Sequence, residues 1–203
     1  MLSDCDIDRI IALIRHEVVP AIGCTEPISV ALCVAKAVET LGEKPERIEA
    51  LLSANILKNA MGVGIPGTGM VGLPIAIALG ALVGRSEYQL EVLRDSNEQW
   101  VELGKQFIHE NRIKVGLKED ITEKLYIEVL VKANGHTAKA IISGSHTHFI
   151  YVEHDGAVLL DEQAETSSDE EEDEQELTLR EVYDFATTTP LERIEFINEA
   201  RRL

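Results

Sequence analysis

Three polar segments of this sequence carry residue types that could do chemistry, and the first of them contains a cysteine. In the segment GCTEP, residues 23–27, Cys24 is followed by a Thr-Glu-Pro run that is typical of a helix start. Thr25 can cap the helix by accepting a backbone N–H bond, Glu26 suits the positive end of the helix dipole, and Pro27 is tolerated in the first turn. We therefore expect Cys24 to lie at a helix N-terminus.

A thiol in that position suits a nucleophile or a metal ligand, because the dipole and the free N–H groups of a helix start lower the pKa of the thiol. The alternative is a small buried cysteine packed beside a turn. Cys5, in a frayed N-terminus, and Cys33, within an apolar helix, are expected to be structural or incidental. The three cysteines show no CxxC spacing, so the sequence has no obvious zinc site.

The second segment, residues 55–74, reads NILKNAMGVGIPGTGMVGLP and holds five glycines between a predicted strand and a predicted helix. Its G-x-G-x-x-G spacing is a weak match to a dinucleotide fingerprint, because polar residues separate the strand from the first glycine, and no Walker sequence is present. We interpret the segment as a loop in which backbone N–H groups and the side chains of Lys58, Asn59 and Thr68 face an anionic group. The alternative is a glycine-rich helix entry that serves packing alone.

The third segment is SGSHTH, residues 143–148, between two predicted strands. Its short polar side chains, with Ser145, His146 and Thr147 at the centre, could bind a carboxylate. Two alternatives stay open: His146 and His148 could join a metal site, or they could be plain exposed histidines of an edge strand.

The elements that must position these segments follow from hydrophobic periodicity. Of the 203 residues, 45% are hydrophobic, which is enough for a sizeable core in one large or two small domains. Apolar residues at helical spacing predict four helices in the first half of the chain. They run from about Ile7 to a stop at Pro20, from about Glu26 to Leu41 before Gly42, over Met70 to Val83 as a buried glycine-rich helix, and over about Asn97 to Glu110.

Strands are predicted at Arg47 to Ala54 and from Ile113 onward, where the hydrophobic period changes to two. Asn134-Gly135 lies between two alternating runs and is a strong signal of a type I′ hairpin. Residues 148–153 and 157–160 are predicted to form another strand pair around His154-Asp155-Gly156. The predicted class is α+β, in which N-terminal helices and the buried glycine-rich helix pack with a mostly antiparallel sheet.

An acidic run, DEQAETSSDEEEDEQE at residues 161–176, divides the predicted body, 1–160, from a helical segment, 177–203, that breaks at Pro190. We expect the run to be a solvated linker or loop, with the binding of cations or a basic partner as the alternative. The net charge of −17 argues against a nucleic-acid partner. No apolar run is long enough for a membrane span and the acidic N-terminus does not resemble a secretory signal, so we expect a cytoplasmic protein.

Taken in order, the motifs GCTEP, KN-x-MGVGIPGTGMVGLP and GSHT resemble those of the L-cysteine desulfidase family, which is related to the alpha component of iron–sulfur L-serine dehydratases. The resemblance covers most of residues 1–160 and continues more faintly through the tail. It implies a [4Fe–4S] cluster held by three cysteines, of which the first matches Cys24 and the other two belong to a C-terminal half. Cys5 and Cys33 do not fall where the family places its ligands. The resemblance therefore implies an N-terminal portion of a longer enzyme, with a C-terminal half or a separate subunit supplying the rest.

The chemistry that the resemblance implies is loss of the β-substituent of an amino acid at an iron that three thiolates leave open as a Lewis acid. For L-cysteine the products are pyruvate, ammonia and sulfide, and no pyridoxal phosphate is implied. Ser145, His146 and Thr147 would hold the substrate carboxylate. Glu26, Asn59 and Thr68 would line the pocket, and Lys58 and His146 are the candidates for catalytic roles. L-serine dehydration and a non-catalytic module that binds a small anion remain open alternatives for the function. A homo-oligomer remains an open alternative for the assembly.

Overall fold

The structure is a computed structural model that describes residues 2–162 and 177–202. Most of the predicted acidic linker therefore lies outside the described residues, and only Asp161 and Glu162 of that run fall within them. The fold class is α+β, as predicted, with a mostly antiparallel six-stranded sheet and a helical C-terminal segment. No helix in the described ranges combines the length and the apolar character needed to cross a membrane.

The helices lie close to the predicted segments. They are α1 Asp4–Glu17, α2 Thr25–Leu41, α3 Ala54–Ala60, α4 Leu73–Leu82, α5 Glu98–His109 and α6 Leu179–Thr188, with 3₁₀ segments at Ser86–Glu91, Leu191–Arg193 and Glu195–Arg202. The helix α2 ends where predicted, because Gly42 adopts the left-handed conformation that closes a helix, with φ +77°.

The strands are β1 Arg47–Leu52, β2 Gly64–Ile65, β3 Met70–Val71, β4 Ile113–Leu117, β5 Tyr126–Ala133, β6 His136–Ser143, β7 Phe149–His154 and β8 Ala157–Asp161. The large sheet has the order β4-β1-β5-β6-β7-β8, and β1 pairs with β4 in parallel while the other neighbours are antiparallel. The predicted hairpin at Asn134-Gly135 is confirmed, since both residues have positive φ, +49° and +86°. That geometry matches the twist of the flanking strands.

One face of the sheet is buried against α2 and α4. Alternate residues of β5, namely Ile127, Val129 and Val131, have no solvent exposure. On the buried helix α4 nearly every side chain is apolar and enclosed, so this helix has no polar face. The small β2–β3 hairpin lies between α3 and α4 along the chain, so it ends directly before the N-terminus of α4.

The contacts divide the chain into two compact units. The sheet unit comprises the described residues within 21–162, and the terminal unit comprises residues 2–20 and 177–202. In the terminal unit α1 packs on α6 through Ile7, Ile10 and Phe185. The sequence interpretation placed residues 1–160 in one body, whereas α1 groups with the C-terminal segment, because the apolar face of α1 finds its partner there.

Several local predictions were wrong in ways that have physical causes. The N-cap of α2 is Cys24 rather than Thr25, and no side chain makes a cap bond there. The predicted helix at Met70 begins only at Leu73, because residues 70–71 pair with β2. Helix α3 was missed altogether. The tail is helical and breaks at Pro190, as predicted, and its part after the break is 3₁₀ helix.

Candidate functional site

The three polar segments meet at the N-terminal end of α2, within the sheet unit. The buried hydroxyl of Ser29 donates a short hydrogen bond to the carbonyl oxygen of His146, which ties the turn at residues 144–147 to α2. The Asn59 amide, at the end of α3, donates to Glu26 Oε1 over 3.2 Å. The β2–β3 hairpin approaches from a third side through Pro66. Segments that are far apart in sequence thus surround Cys24 and Glu26.

The carboxylate of Glu26 is the centre of this arrangement. Its Oε2 accepts a hydrogen bond from the thiol of Cys24, with Sγ at 2.8 Å, and a longer one from Thr25 at 3.4 Å. The bond from Cys24 is the main cause that lowers the pKa of Glu26, and the Asn59 amide and the nearby His146 lower it further. Glu26 is therefore a charged carboxylate held in place by donors from two of the three segments.

The thiol of Cys24 behaves differently from the sequence-based expectation. Its pKa is raised, first because the thiol is partly buried and second because the Glu26 carboxylate accepts its proton in a hydrogen bond. We expected a lowered pKa from the helix N-terminus, and that prediction was wrong because desolvation, together with the neighbouring Glu26 carboxylate, outweighs the helix end. A metal ion that binds here has to displace the proton.

Gly23 allows the glycine-rich hairpin to approach Cys24. The residue has φ +96°, and a Cβ atom built on it would lie 2.9 Å from two ring atoms of Pro66. At the tip of the hairpin the buried hydroxyl of Thr68 donates to the Ile65 carbonyl at 2.7 Å and accepts from the Met70 N–H at 3.0 Å. The hydroxyl of Thr68 is thus engaged within the turn, so Thr68 shapes the hairpin that lies over the site.

The turn at residues 144–147 presents its polar groups to solvent. Ser145 is exposed, and His146 and Thr147 are half-buried. The hydroxyls of Ser145 and Thr147 make no hydrogen bond with any other residue of the described ranges, so they are free to donate to a ligand. Lys58, one residue before Asn59, is exposed and forms no ion pair within the same ranges.

His148 takes no part in this arrangement. Its Nε2 lies 2.8 Å from Glu162 Oε2, at the neighbouring edge of the sheet. Across residues 2–162 and 177–202, no group of three His, Cys, Asp or Glu side chains is arranged to hold a metal ion.

Of the three cysteines, Cys24 is the one whose thiol lies at the candidate site, where it could ligate the iron–sulfur cluster that the resemblance implies. Cys33 has no solvent exposure, its Sγ donates to the Ala140 carbonyl at 3.3 Å, and burial strongly raises its pKa. Cys5 is exposed on α1, in the terminal unit. Cys24 thus fits the role of a single ligand, and the described residues do not furnish the remaining ligands of a cubane.

Ser29 is a site residue that sequence reasoning missed. It is a polar residue with no exposure in the apolar run ISVALCVA, and a buried hydroxyl of this kind needs a hydrogen-bond partner. A polar residue that needs a buried partner inside an apolar helical run is therefore the sequence signal that could have identified Ser29. The sequence could not show that the partner is the carbonyl of His146, because the pairing depends on the tertiary fold.

Comparisons with known proteins give relatives but no stated activity. No protein-family model and no solved structure matches the chain. A UPF0597 protein of Phocaeicola vulgatus is 65% identical over 203 residues, which is 100% of this chain and 47% of that protein. A UPF0597 protein of Bacteroides thetaiotaomicron is 67% identical over 195 residues, and one of Porphyromonas gingivalis is 49% identical over 201; each match covers 96% of this chain and 46% of the relative. The chain spans about half the length of the curated relatives it matches.

Proposed function

We propose that the chain forms part of an iron–sulfur-dependent lyase that eliminates sulfide from L-cysteine to give pyruvate, ammonia and sulfide. The observation that carries the proposal is the convergence of GCTEP, the glycine-rich hairpin and the GSHT turn around Cys24 and Glu26. These are the same motifs on which the resemblance to the L-cysteine desulfidase family rests. Their meeting at one place is what a shared active site requires, although they are far apart in the sequence.

In this proposal Cys24 supplies one thiolate ligand, and the remaining ligands come from a C-terminal half or a separate subunit. When bound, the cluster supplies an open iron that acts as a Lewis acid. The chain's own residues then bind and orient the substrate. The free hydroxyls of Ser145 and Thr147 donate to its carboxylate, with His146 beside them, because charge-assisted hydrogen bonds are the strong ones.

Glu26, Asn59 and Lys58 complete the proposed pocket. Glu26 and Asn59 form its wall and hold each other in place over 3.2 Å. Lys58 provides a positive charge or a proton-transfer group. A base takes the Cα proton of L-cysteine, and the Cβ–S bond breaks so that sulfide leaves with the bonding electron pair. The resulting aminoacrylate reacts with water to give pyruvate and ammonia. Pyridoxal phosphate has no role in this scheme, and we place the enzyme in the cytoplasm, where thiols and an iron–sulfur cluster stay reduced.

The experiment uses a completed protein, in which this chain replaces the matching 203 residues of the Phocaeicola vulgatus relative. The protein is purified anaerobically, and iron, sulfide and pyruvate are measured with L-cysteine and with L-serine as substrates. We expect bound iron, and sulfide and pyruvate in equal amounts from L-cysteine.

Two other outcomes would replace the proposal. Pyruvate from L-serine without sulfide release from L-cysteine would identify a serine dehydratase. An iron-free protein without turnover that still binds small carboxylates, a result compatible with the free hydroxyls of the GSHT turn, would identify a small-anion-binding module. Cys5→Ala is the matched control, because Cys5 lies outside the site and its loss should leave iron and turnover unchanged.

A further inference from the structure

The terminal unit carries an apolar surface that its own core does not use. On α6 the side chains of Leu179, Val182 and Tyr183 are 85%, 46% and 62% exposed, and Ala186 extends the same stripe. These positions follow the i, i+3, i+4, i+7 spacing of one helix face. Exposed apolar residues that are scattered singly need no explanation, whereas a contiguous stripe marks an interaction surface.

The opposite face of α6 already has its partner. Phe185 is buried against α1, and Glu181 pairs with Arg9 at 3.0 Å. The outward stripe therefore stays exposed after α6 has packed on α1. The 3₁₀ segments add Leu191, 76% exposed, and Ile197, 45% exposed.

The terminal unit also has a small core of its own. Among its described residues, three apolar side chains are buried, and a core of that size stabilises little. These are Ile7, Ile10 and Phe185, with Leu2, Ile11, Ile14, Leu177 and Ile194 partly buried against them. The segment Glu195–Arg202 is eight residues of 3₁₀ helix, although such runs rarely exceed three or four because their hydrogen bonds are poorer than those of an α-helix. Both features fit a domain core of which only one layer is present.

We propose that the α6 stripe, defined as Leu179, Val182, Tyr183 and Ala186, is the docking surface for the part of the longer polypeptide that the relatives carry outside the match. The relatives have about as many residues again as the matched region, since the match covers 46–47% of their length. The stripe and that part together form the core of a second domain, and the terminal unit is the first layer of it. This inference rests on one part of the proposed function, namely that a further half of the polypeptide completes the protein. It identifies the surface of this chain that the further half contacts.

A second copy of this chain is a poorer occupant. The net charge of −17 makes close association of two copies electrostatically unfavourable, whereas the stripe itself is apolar. Docking of a covalently continued segment avoids the entropy cost of bringing two molecules together, so a modest apolar area is enough.

The test compares amide hydrogen exchange of the α6 helix in this chain with that of the matching helix in the full-length Phocaeicola vulgatus relative. We expect the helix to exchange at least 10-fold more slowly in the longer protein, while the amides of the β5–β6 hairpin exchange at the same rate in both. Equal α6 rates would overturn the proposal, and so would slowing of both elements together, because that result reports global stability. A dimeric mass of this chain with α6 already protected would identify a second copy as the occupant and would also overturn it.

Matched variants of this chain distinguish the two faces of α6. Tyr183→Ser, on the outward stripe, should leave exchange of α6 unchanged within two-fold, whereas Phe185→Ser, on the inner face, should remove its protection. Loss of protection in Tyr183→Ser would show that the stripe is already used inside this chain. The exchange readout involves neither iron nor sulfide, so a failure of the docking surface and a failure of the lyase assignment are separate results.

Discussion

At the scale of single residues, Gly23 decides whether the glycine-rich hairpin can reach Cys24. Its φ of +96° disfavours any side chain, and an added Cβ would lie 2.9 Å from the rigid ring of Pro66. We expect Gly23→Ala to lower the free energy of unfolding by about 2 kcal/mol, measured by urea denaturation of this chain.

Gly64→Ala is the matched control for that change. Gly64 lies on the β2–β3 hairpin that approaches Gly23. It has no positive φ, and an added Cβ atom would have no atom within 4 Å. Its effect should stay within about 0.5 kcal/mol. Equal losses in the two variants would show that the hairpin tolerates no substitution at all, and that the approach to Gly23 is not the reason.

The hydroxyl of Thr147 is the second residue-scale test. In the completed protein, Thr147→Val keeps the shape of the side chain and removes the hydroxyl that we propose as a donor to the substrate carboxylate. Loss of a hydrogen bond to a charged group costs about 1.5–3 kcal/mol, so KM should rise roughly 10- to 150-fold, with or without a fall in kcat. Thr137→Val, at the other end of β6, should leave KM unchanged. Unchanged kinetics in Thr147→Val would remove this residue from the site.

At the scale of elements, the 3₁₀ segment Ser86–Glu91 holds a strained residue. Gln89 has φ +50° and ψ −126°, a conformation that favours glycine. Contacts of the next residue hold Gln89 in this conformation. Leu90 is buried, and its carbonyl oxygen accepts a hydrogen bond from the Ile22 N–H at 3.1 Å. Ile22 lies two residues before Cys24. The segment thereby supports the entry into α2.

We expect Gln89→Gly to raise the free energy of unfolding by about 1 kcal/mol, because relief of the strain exceeds the entropy that glycine adds to the unfolded chain. The same substitution at Gln106, an exposed position of α5, should lower it by about 1 kcal/mol. Both changes are measured by denaturant unfolding. A loss at both positions would mean that Gln89 is not strained in solution.

The β5–β6 and β7–β8 hairpins are joined at their ends by a pair that titrates. His136 Nδ1 lies 2.6 Å from Asp155 Oδ2, and this bond raises the pKa of His136 above its usual 6.5 and lowers that of Asp155 below its usual 3.8. The contribution of His136 to stability is complete below pH 6.5 and is lost as pH rises through the raised pKa. That of Asp155 is present above pH 3.8 and is lost as pH falls through the lowered pKa.

The pair therefore stabilises the hairpin ends most between about pH 4 and 6.5. In a titration of the His136 ring followed by NMR, we expect Asp155→Asn to shift the midpoint to lower pH. Superimposable titration curves for the two proteins would show that the two side chains do not interact in solution.

The sequence predicted most of the helices and strands because their signals are local. Asn134-Gly135 specifies its own turn, and Gly42 and the periodicity before it specify the end of α2. Helix α3 was missed, since the seven residues ANILKNA sit between two stronger signals and resemble a polar loop. The start of α4 was placed too early because Met70 and Val71 continue its apolar pattern, while their pairing with β2 is a tertiary property.

At the scale of the whole molecule, the site depends on contacts that no local pattern encodes. The sequence indicated Cys24, Asn59 and the GSHT turn as separate candidates, and the fold brings them together through Glu26 and Ser29. The direction of the Cys24 pKa shift could not be predicted, because it depends on burial and on where the Glu26 side chain lies. The grouping of α1 with the C-terminal segment is likewise a property of the folded chain.

In the proposed function, Cys24 binds iron in an enzyme that needs more than this chain. One thiol cannot hold a cubane, so anaerobic reconstitution of this chain alone with iron and sulfide should give no stable stoichiometric cluster and no sulfide release from L-cysteine.

The most direct measurement is the iron content and turnover of the completed protein carrying Cys24→Ala, prepared beside Cys33→Ala. Cys33→Ala should keep both, at some cost in packing, because Cys33 is enclosed in the core and away from the site. Cys24→Ala should lose its cluster and all sulfide release. A Cys24→Ala protein that retains its iron and its turnover would contradict the account.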